Sequence, residues 1–170
     1  MLGLGNGSLA ARVLFVAEAP GRFGGDRTAI PLHGDRSGAT FARLLQAAGL
    51  PRDAVFVTNA VLCNPRDAQG RNARPSPAEL RNCAAHLRAQ IDLLDPPWVV
   101  ALGHTALRAL ALVERHAVRL PADLLRPVAW YGRRLVALYH PGPRALLRRP
   151  LAAQLEDYRR LAALVGGCAP

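Results

Sequence analysis

Four short stretches constrain the fold most: "VLFVA" (Val13–Ala17), "VFVTN" (Val55–Asn59), "WVVAL" (Trp98–Leu102) and "RLVALY" (Arg134–Tyr139). Successive side chains of a strand point to opposite faces, so a strand wetted on one side alternates apolar and polar residues. These four run apolar instead of alternating, which is the pattern of strands covered on both faces, as in a parallel sheet. The intervening segments read as helices. "SGATFARLLQAAGL" sets Phe41, Leu44, Leu45 and Ala48 at helical spacing, with Gly49 as the stop. "SPAELRNCAAHLRAQIDLL" opens with Ser76 as N-cap, Pro77 at the first helical position and Glu79 at the capping-box position, and it ends before Asp95-Pro96-Pro97. "HTALRALALV" is a shorter helix, and "PLAAQLEDYRRLAALV" carries Leu151, Leu155, Tyr158 and Leu161 on one stripe.

Strands alternating with helices predict a doubly wound, three-layer α/β/α domain with a central four-stranded parallel sheet. At 170 residues the chain suits a single domain spanning residues 1–170, with residues 1–12 a Gly-rich, irregular N-terminal segment. The one long irregular stretch, "NPRDAQGRNARPSP" (64–77), is either a functional loop or a tolerated insertion. No apolar run is long enough to cross a bilayer and no signal-like N-terminus is visible, so a cytoplasmic setting, nucleoid-associated in a prokaryote, is expected.

In an open α/β sheet, ligands bind beyond the carboxyl ends of the strands. Here those ends deliver Glu18 with Ala19-Pro20-Gly21, then Asn59, then Gly103-His104, then His140 with Pro141-Gly142-Pro143-Arg144. An acid, an amide and imidazoles on one rim form a candidate site, although each taken alone also suits a cap, a turn or a packed side chain. The net charge of +10 adds a second clue. All 22 basic side chains are Arg, whose planar fork suits phosphate oxygens, and a basic surface of this size favours nucleic acid. GC-rich coding accounts for the missing Lys but not for the excess over acidic residues.

Five ordered motifs go further. "VLFVAEAPG", "TNAVLCNP", "PSPAELRNC", "VVALG" and "YHPGPR" resemble, in order, the motifs of the uracil-DNA glycosylase superfamily, nearest its iron–sulfur branch. The likeness runs from about Val13 to Leu161. It implies a uracil-DNA glycosylase-like fold and a monofunctional enzyme of base-excision repair, which hydrolyses the N-glycosidic bond of uracil in DNA and leaves an abasic site. On this resemblance His140 would hydrogen-bond uracil O2, in a neutral or a protonated state, and Asn59 would read the O4 and N3 edge. Glu18 would position water, support the cationic sugar or organise its loop. In relatives outside this branch an Asp stands where this chain has Ala19. Backbone amides from Ala19 to Gly21 would contact the base. Arg22, Arg144, Arg148 and Arg149 would hold phosphates. Pro141, Gly142 and the following "GPRALLRR" correspond to the loop that enters the minor groove, with Leu146 or Leu147 as the wedge, or with Leu146 packed in the core.

Two departures from the family pattern shape the expectations. The family's P-F-x-G reads Pro31-Leu32-His33-Gly34 here. Leu32 is a poorer stacking surface than Phe, so either His33 or Phe23 supplies a ring, or the pocket accepts other deaminated bases such as hypoxanthine or xanthine. A [4Fe–4S] cluster needs four thiolates. Cys63 and Cys83 match two of the family's ligands, no Cys precedes them, and Cys168 lies far along the chain. An upstream start bearing the missing pair and loss of the cluster are the two alternatives. The expected partner is DNA containing uracil or another deaminated base, met by a monomer away from any membrane. The competing class is a non-catalytic nucleic-acid-binding domain.

Overall fold

The apolar runs become strands because helices cover them on both sides. The structure, a computed structural model, describes residues 4 to 166, so Cys168 lies outside the described residues. A single 3-10 turn (Leu4–Asn6) leads to β1 (Val13–Ala17), α1 (Gly25–Thr28), α2 (Arg36–Ala47), β2 (Phe56–Asn59), α3 (Pro77–Leu94) and β3 (Trp98–Leu102). Then come α4 (His104–Val113), β4 (Val128–Trp130), β5 (Arg133–Leu138), α5 (Pro143–Leu146) and α6 (Leu151–Gly166). The sheet order is β2-β1-β3-β5-β4. β1, β2 and β3 are buried at every position.

Alternation within β1 sorts the core into two layers. Leu14 and Val16 join a cluster with Leu80, Leu87 and Ile91 of α3 and with Ala106 and Leu110 of α4. Val13, Phe15 and Ala17 join the opposite cluster with Phe41 and Leu44 of α2 and Tyr158 and Leu161 of α6. The Phe15 ring stacks on Tyr158 at 6.0 Å and meets Phe41 edge-on at 5.4 Å, both geometries that the ring quadrupole favours.

The expected four-stranded parallel sheet needs correction. Four strands are parallel, but β4 pairs antiparallel with β5 and makes the sheet five-stranded. β4 is three residues long with only Trp130 buried, so it leaves no apolar run to read. Its hairpin turn, Tyr131-Gly132, has φ of 48° and 69°. Positive φ at both turn residues is the two-residue hairpin geometry usually signalled by Asn-Gly or Asp-Gly, and the Tyr hides it. The last parallel strand also begins and ends one residue earlier than its apolar pattern suggests.

The described part of the N-terminal segment is irregular but anchored. Asn6 donates from Nδ2 to the Val57 carbonyl at 2.8 Å, and Gly7 bridges Phe56. Arg52 donates to the carbonyls of Asn6, Gly5 and Pro31. Gly7 has φ 119°, and a Cβ there would stand 1.8 Å from the Val55 oxygen, so no other residue fits.

The α3 start is built as its sequence predicts. Ser76 Oγ accepts from the Glu79 N–H at 3.2 Å, and the Ser76 N–H donates to Glu79 Oε2 at 2.7 Å, behind Pro77. Ser76→Ala should lower unfolding free energy by about 1 kcal/mol. Denaturant titration checks this; an unchanged midpoint would show that the cap does not hold the helix.

Candidate active site

The strand order creates the crevice. From β1 the chain moves outward to β2 on one side, while β3 continues to β5 on the other. The tips of β1 and β3 therefore part company, which is where open α/β sheets bind ligands. Glu18 leaves β1 at this point and Thr105 stands in the first turn of α4, just after β3. Thr105 Oγ1 donates to Glu18 Oε2 at 2.5 Å, so one carboxylate oxygen is engaged across the crevice.

A cavity of about 140 Å³ opens there. Glu18, Ala19, Pro20 and Gly21 line one side, and His140 lines it from the β5 tip. Leu32, Asp35 and Ser37 contribute from the segment entering α2. Asp35 caps α2 through Oδ1, which accepts from the Gly38 N–H at 2.9 Å. A Cβ at residue 24 would stand 2.4 Å from Asp35 Oδ2 and 2.9 Å from the His33 carbonyl, which favours Gly there; at residue 21 a Cβ would meet only Oδ2, at 2.8 Å.

The state of His140 follows from its neighbour. The Gly142 N–H donates to His140 Nδ1 at 3.0 Å. Only an unprotonated Nδ1 can accept, so the ring proton sits on Nε2. Burial of the ring pushes its pKa below 6.5, against the opposing pull of the Glu18 and Asp35 carboxylates. The imidazole is thus neutral and presents one N–H donor. A Cβ on residue 142 would lie 2.8 Å from Nδ1 and 3.2 Å from Ser37 Oγ, which explains the Gly.

The 64–77 stretch forms the second wall of the cavity. Asn64, Pro65, Asn72 and Ala73 line it. Asn72 Oδ1 accepts from the Arg22 N–H at 2.9 Å, Arg22 Nη1 donates to the Gly70 carbonyl at 3.2 Å, and Arg66 pairs with Asp26 at 2.8 Å. The stretch that reads either as a functional loop or as a tolerated insertion thus borders the cavity.

The remaining sequence-derived residues fall in several places. Leu32 lines the cavity, in a backbone conformation with φ 49°. His33 instead lines a larger apolar cavity beside α2. Phe23 is 66% exposed, with the Arg22 guanidinium 5.0 Å from its ring centre. Neither ring reaches the small cavity, and no Phe, Tyr or Trp lines it. Asn59 ends β2, paired in register with Ala17. It is 5% exposed, its amide has no hydrogen-bond partner among the described residues, and it is not on the cavity wall.

On the loop after β5, Pro141 and Gly142 are buried, Arg144 and Arg148 are exposed, and Leu146 is half-buried. Leu147, not Leu146, is the projecting apolar side chain, at 87% exposure. Arg149 turns inward to Asp157. The sequence reading missed Thr105, Asp35 and Ser37. Thr105 was within reach of it, being three residues past a strand that ends at the site.

Fold and cavity define a doubly wound α/β domain with a small polar cavity at its switch point. The sequence profile of the Uracil DNA glycosylase superfamily matches residues 4–166. A type-4 uracil-DNA glycosylase of Thermotoga maritima is 34% identical over 81% of this chain and 68% of its own length. A type-5 uracil-DNA glycosylase of Thermus thermophilus is 36% identical, covering 94% and 80%, and a type-4 enzyme of Archaeoglobus fulgidus is 31% identical, covering 95% and 81%. The chain belongs to the uracil-DNA glycosylase superfamily.

An iron–sulfur cluster does not fit the residues present. Four thiolates are required, and the chain has three cysteines. Cys63 is exposed and Cys83 half-buried. Among the described residues no three His, Cys, Asp or Glu side chains are grouped to hold a metal. The chemistry below therefore uses protein side chains alone.

Nitrogen-detected NMR across a pH series tests the His140 assignment. The expected spectrum is that of the Nε2–H tautomer, with a titration midpoint below 6.5. A midpoint at or above the ordinary value, or protonation at Nδ1, would contradict it.

Proposed function

We propose that this chain is a monofunctional uracil-DNA glycosylase acting as a monomer, which removes uracil flipped out of DNA and leaves an abasic site. The observation that carries the reading is the neutral His140, locked by the Gly142 N–H with Nε2–H free, on the same small cavity as Glu18. Breaking the glycosidic bond makes the sugar cationic and the departing base anionic. A catalyst must hold both charges as they develop. His140 Nε2–H donates to uracil O2, where negative charge grows, without handing over a proton. Glu18 faces the cationic sugar or orients the attacking water with its second oxygen, while Thr105 fixes the first. The backbone of Ala19, Pro20 and Gly21 borders the base, with N–H donors at Ala19 and Gly21 only. Asn59 stands off the cavity wall; its role as donor and acceptor to the O4 and N3 edge rests on the family resemblance alone. A cytosine would present swapped groups and leave buried polar atoms unpaired. With no Lys in the chain, no lysine Schiff base is available to cut the strand.

The base is reached by flipping, which costs about a few kcal/mol of unstacking. Exposed Arg22, Arg144 and Arg148 meet phosphates, and Leu147 fills the vacated stack. Leu32 favours a second reading beside the first. Without an aromatic floor in the cavity, hypoxanthine and xanthine are further substrates of the same site.

Incubation with a uracil-containing oligonucleotide, then alkali, tests the function. Strand breakage is expected with the wild type, and His140→Ala should lower the rate about 100- to 1,000-fold, the usual effect of losing one donor to a developing anion. An intact strand with folded wild-type protein, or DNA binding without base release, would sink the reading. Leu32→Phe should lower KM for uracil about fivefold by adding ring stacking; an unchanged KM would show that position 32 does not touch the base.

A further inference from the structure

The loop after His140 is fixed at both ends, and its far fixing point uses charge where apolar packing would serve. Leu147 is the most exposed large apolar residue described. On one side of it, the Gly142 N–H holds His140, and the Gly142 carbonyl accepts from the N–H groups of Ala145 and Leu146 at 3.0 and 3.2 Å. On the other side, Arg149 Nε donates to Asp157 Oδ2 at 2.9 Å and Nη2 donates to Oδ1 at 2.6 Å. Gln154 Nε2 adds a bond to the Arg149 carbonyl at 3.0 Å. Asp157 and Gln154, both on α6, are 2% and 1% exposed. A buried carboxylate is expensive even when paired, and apolar replacements are often as stable. What the planar, two-pronged pair provides is a fixed geometry.

Resting on the glycosylase reading, we propose that Asp157, Arg149 and Gln154 are positioning residues that hold the Leu147 loop as a preformed wedge for opening the duplex, with no part in bond cleavage. Arg149 is thereby assigned to the protein and not to a DNA phosphate. An ordered wedge enters the base stack without first losing its own freedom. A loosened loop is penalised only where a stack has to be opened. In single-stranded DNA the uracil needs no such help.

Asp157→Asn keeps the shape and removes the charge. Uracil release is measured from matched duplex and single-stranded oligonucleotides, with thermal melting as the check on folding. On duplex, kcat/KM should fall about 10-fold or more, the scale on which small misplacements act, while single-strand release stays within about twofold. In a Leu147→Ala background the same substitution should leave the duplex to single-strand ratio unchanged, because coupled residues are not additive. Gln154→Met, which removes one donor while its unpartnered Oε1 loses nothing, should shift the ratio the same way and serves if Asp157→Asn does not fold. Equal losses on both substrates, additivity with Leu147→Ala, or tighter duplex binding by Asp157→Asn through a freed Arg149 would each overturn the proposal. Wild-type release from single strands reports separately on the glycosylase reading, so the two can fail independently.

Discussion

The chemistry of the cavity depends on one backbone hydrogen bond, from the Gly142 N–H to Nδ1 of His140. It fixes a tautomer that the ring alone would leave open. It also leaves no room for a side chain at position 142, where a Cβ would stand 2.8 Å from Nδ1. Gly103, φ 89°, is favoured by its left-handed backbone; a Cβ there would make only ordinary contact with His140 Cβ at 3.4 Å. The Gly103 N–H donates to the Leu138 carbonyl at 2.8 Å, which ties the end of β3 to the residue before Tyr139-His140. The imidazole is therefore held by the Gly142 N–H, on a segment whose start is tied to the end of β3, as a preorganised electrostatic site needs.

The sheet supplies the opposite charge. Because the chain diverges after β1 and β3, Glu18 and Thr105 meet across the crevice at the strand tips. Burial keeps the ring neutral even though two carboxylates nearby favour its charged form. That balance suits a donor to a developing anion, since a permanently charged ring would be paired with Glu18 before any substrate arrived. The Arg22–Asn72 and Arg66–Asp26 contacts close the remaining side with residues that also belong to a basic surface.

Much of this was legible in the sequence because its signals are local. Continuous apolar runs marked β1, β2 and β3, Ser76-Pro77 with Glu79 marked the start of α3, and Glu18 and His140 stood out by following strands. What stayed hidden depends on contacts distant in sequence. β4 exists only because β5 offers an edge, and its Tyr-Gly turn carries no standard signature. Arg149 reads as one more phosphate ligand until Asp157, eight residues on, faces it from inside α6. Leu146 and Leu147 are adjacent, and only the helical turn of α5 decides which one projects. Asn59 stands out by its strand end and its motif, and neither signal tells that it is not among the residues lining the cavity.

The account rests on His140 and Glu18 serving one nucleobase in the small polar cavity. A crystal structure of the protein with an abasic-site duplex and free uracil addresses this directly. The predicted result is uracil density between Leu32 and His140, with Nε2 within hydrogen-bond distance of O2. Uracil seated instead in the apolar cavity beside α2, or His140 turned away from the base, would contradict it.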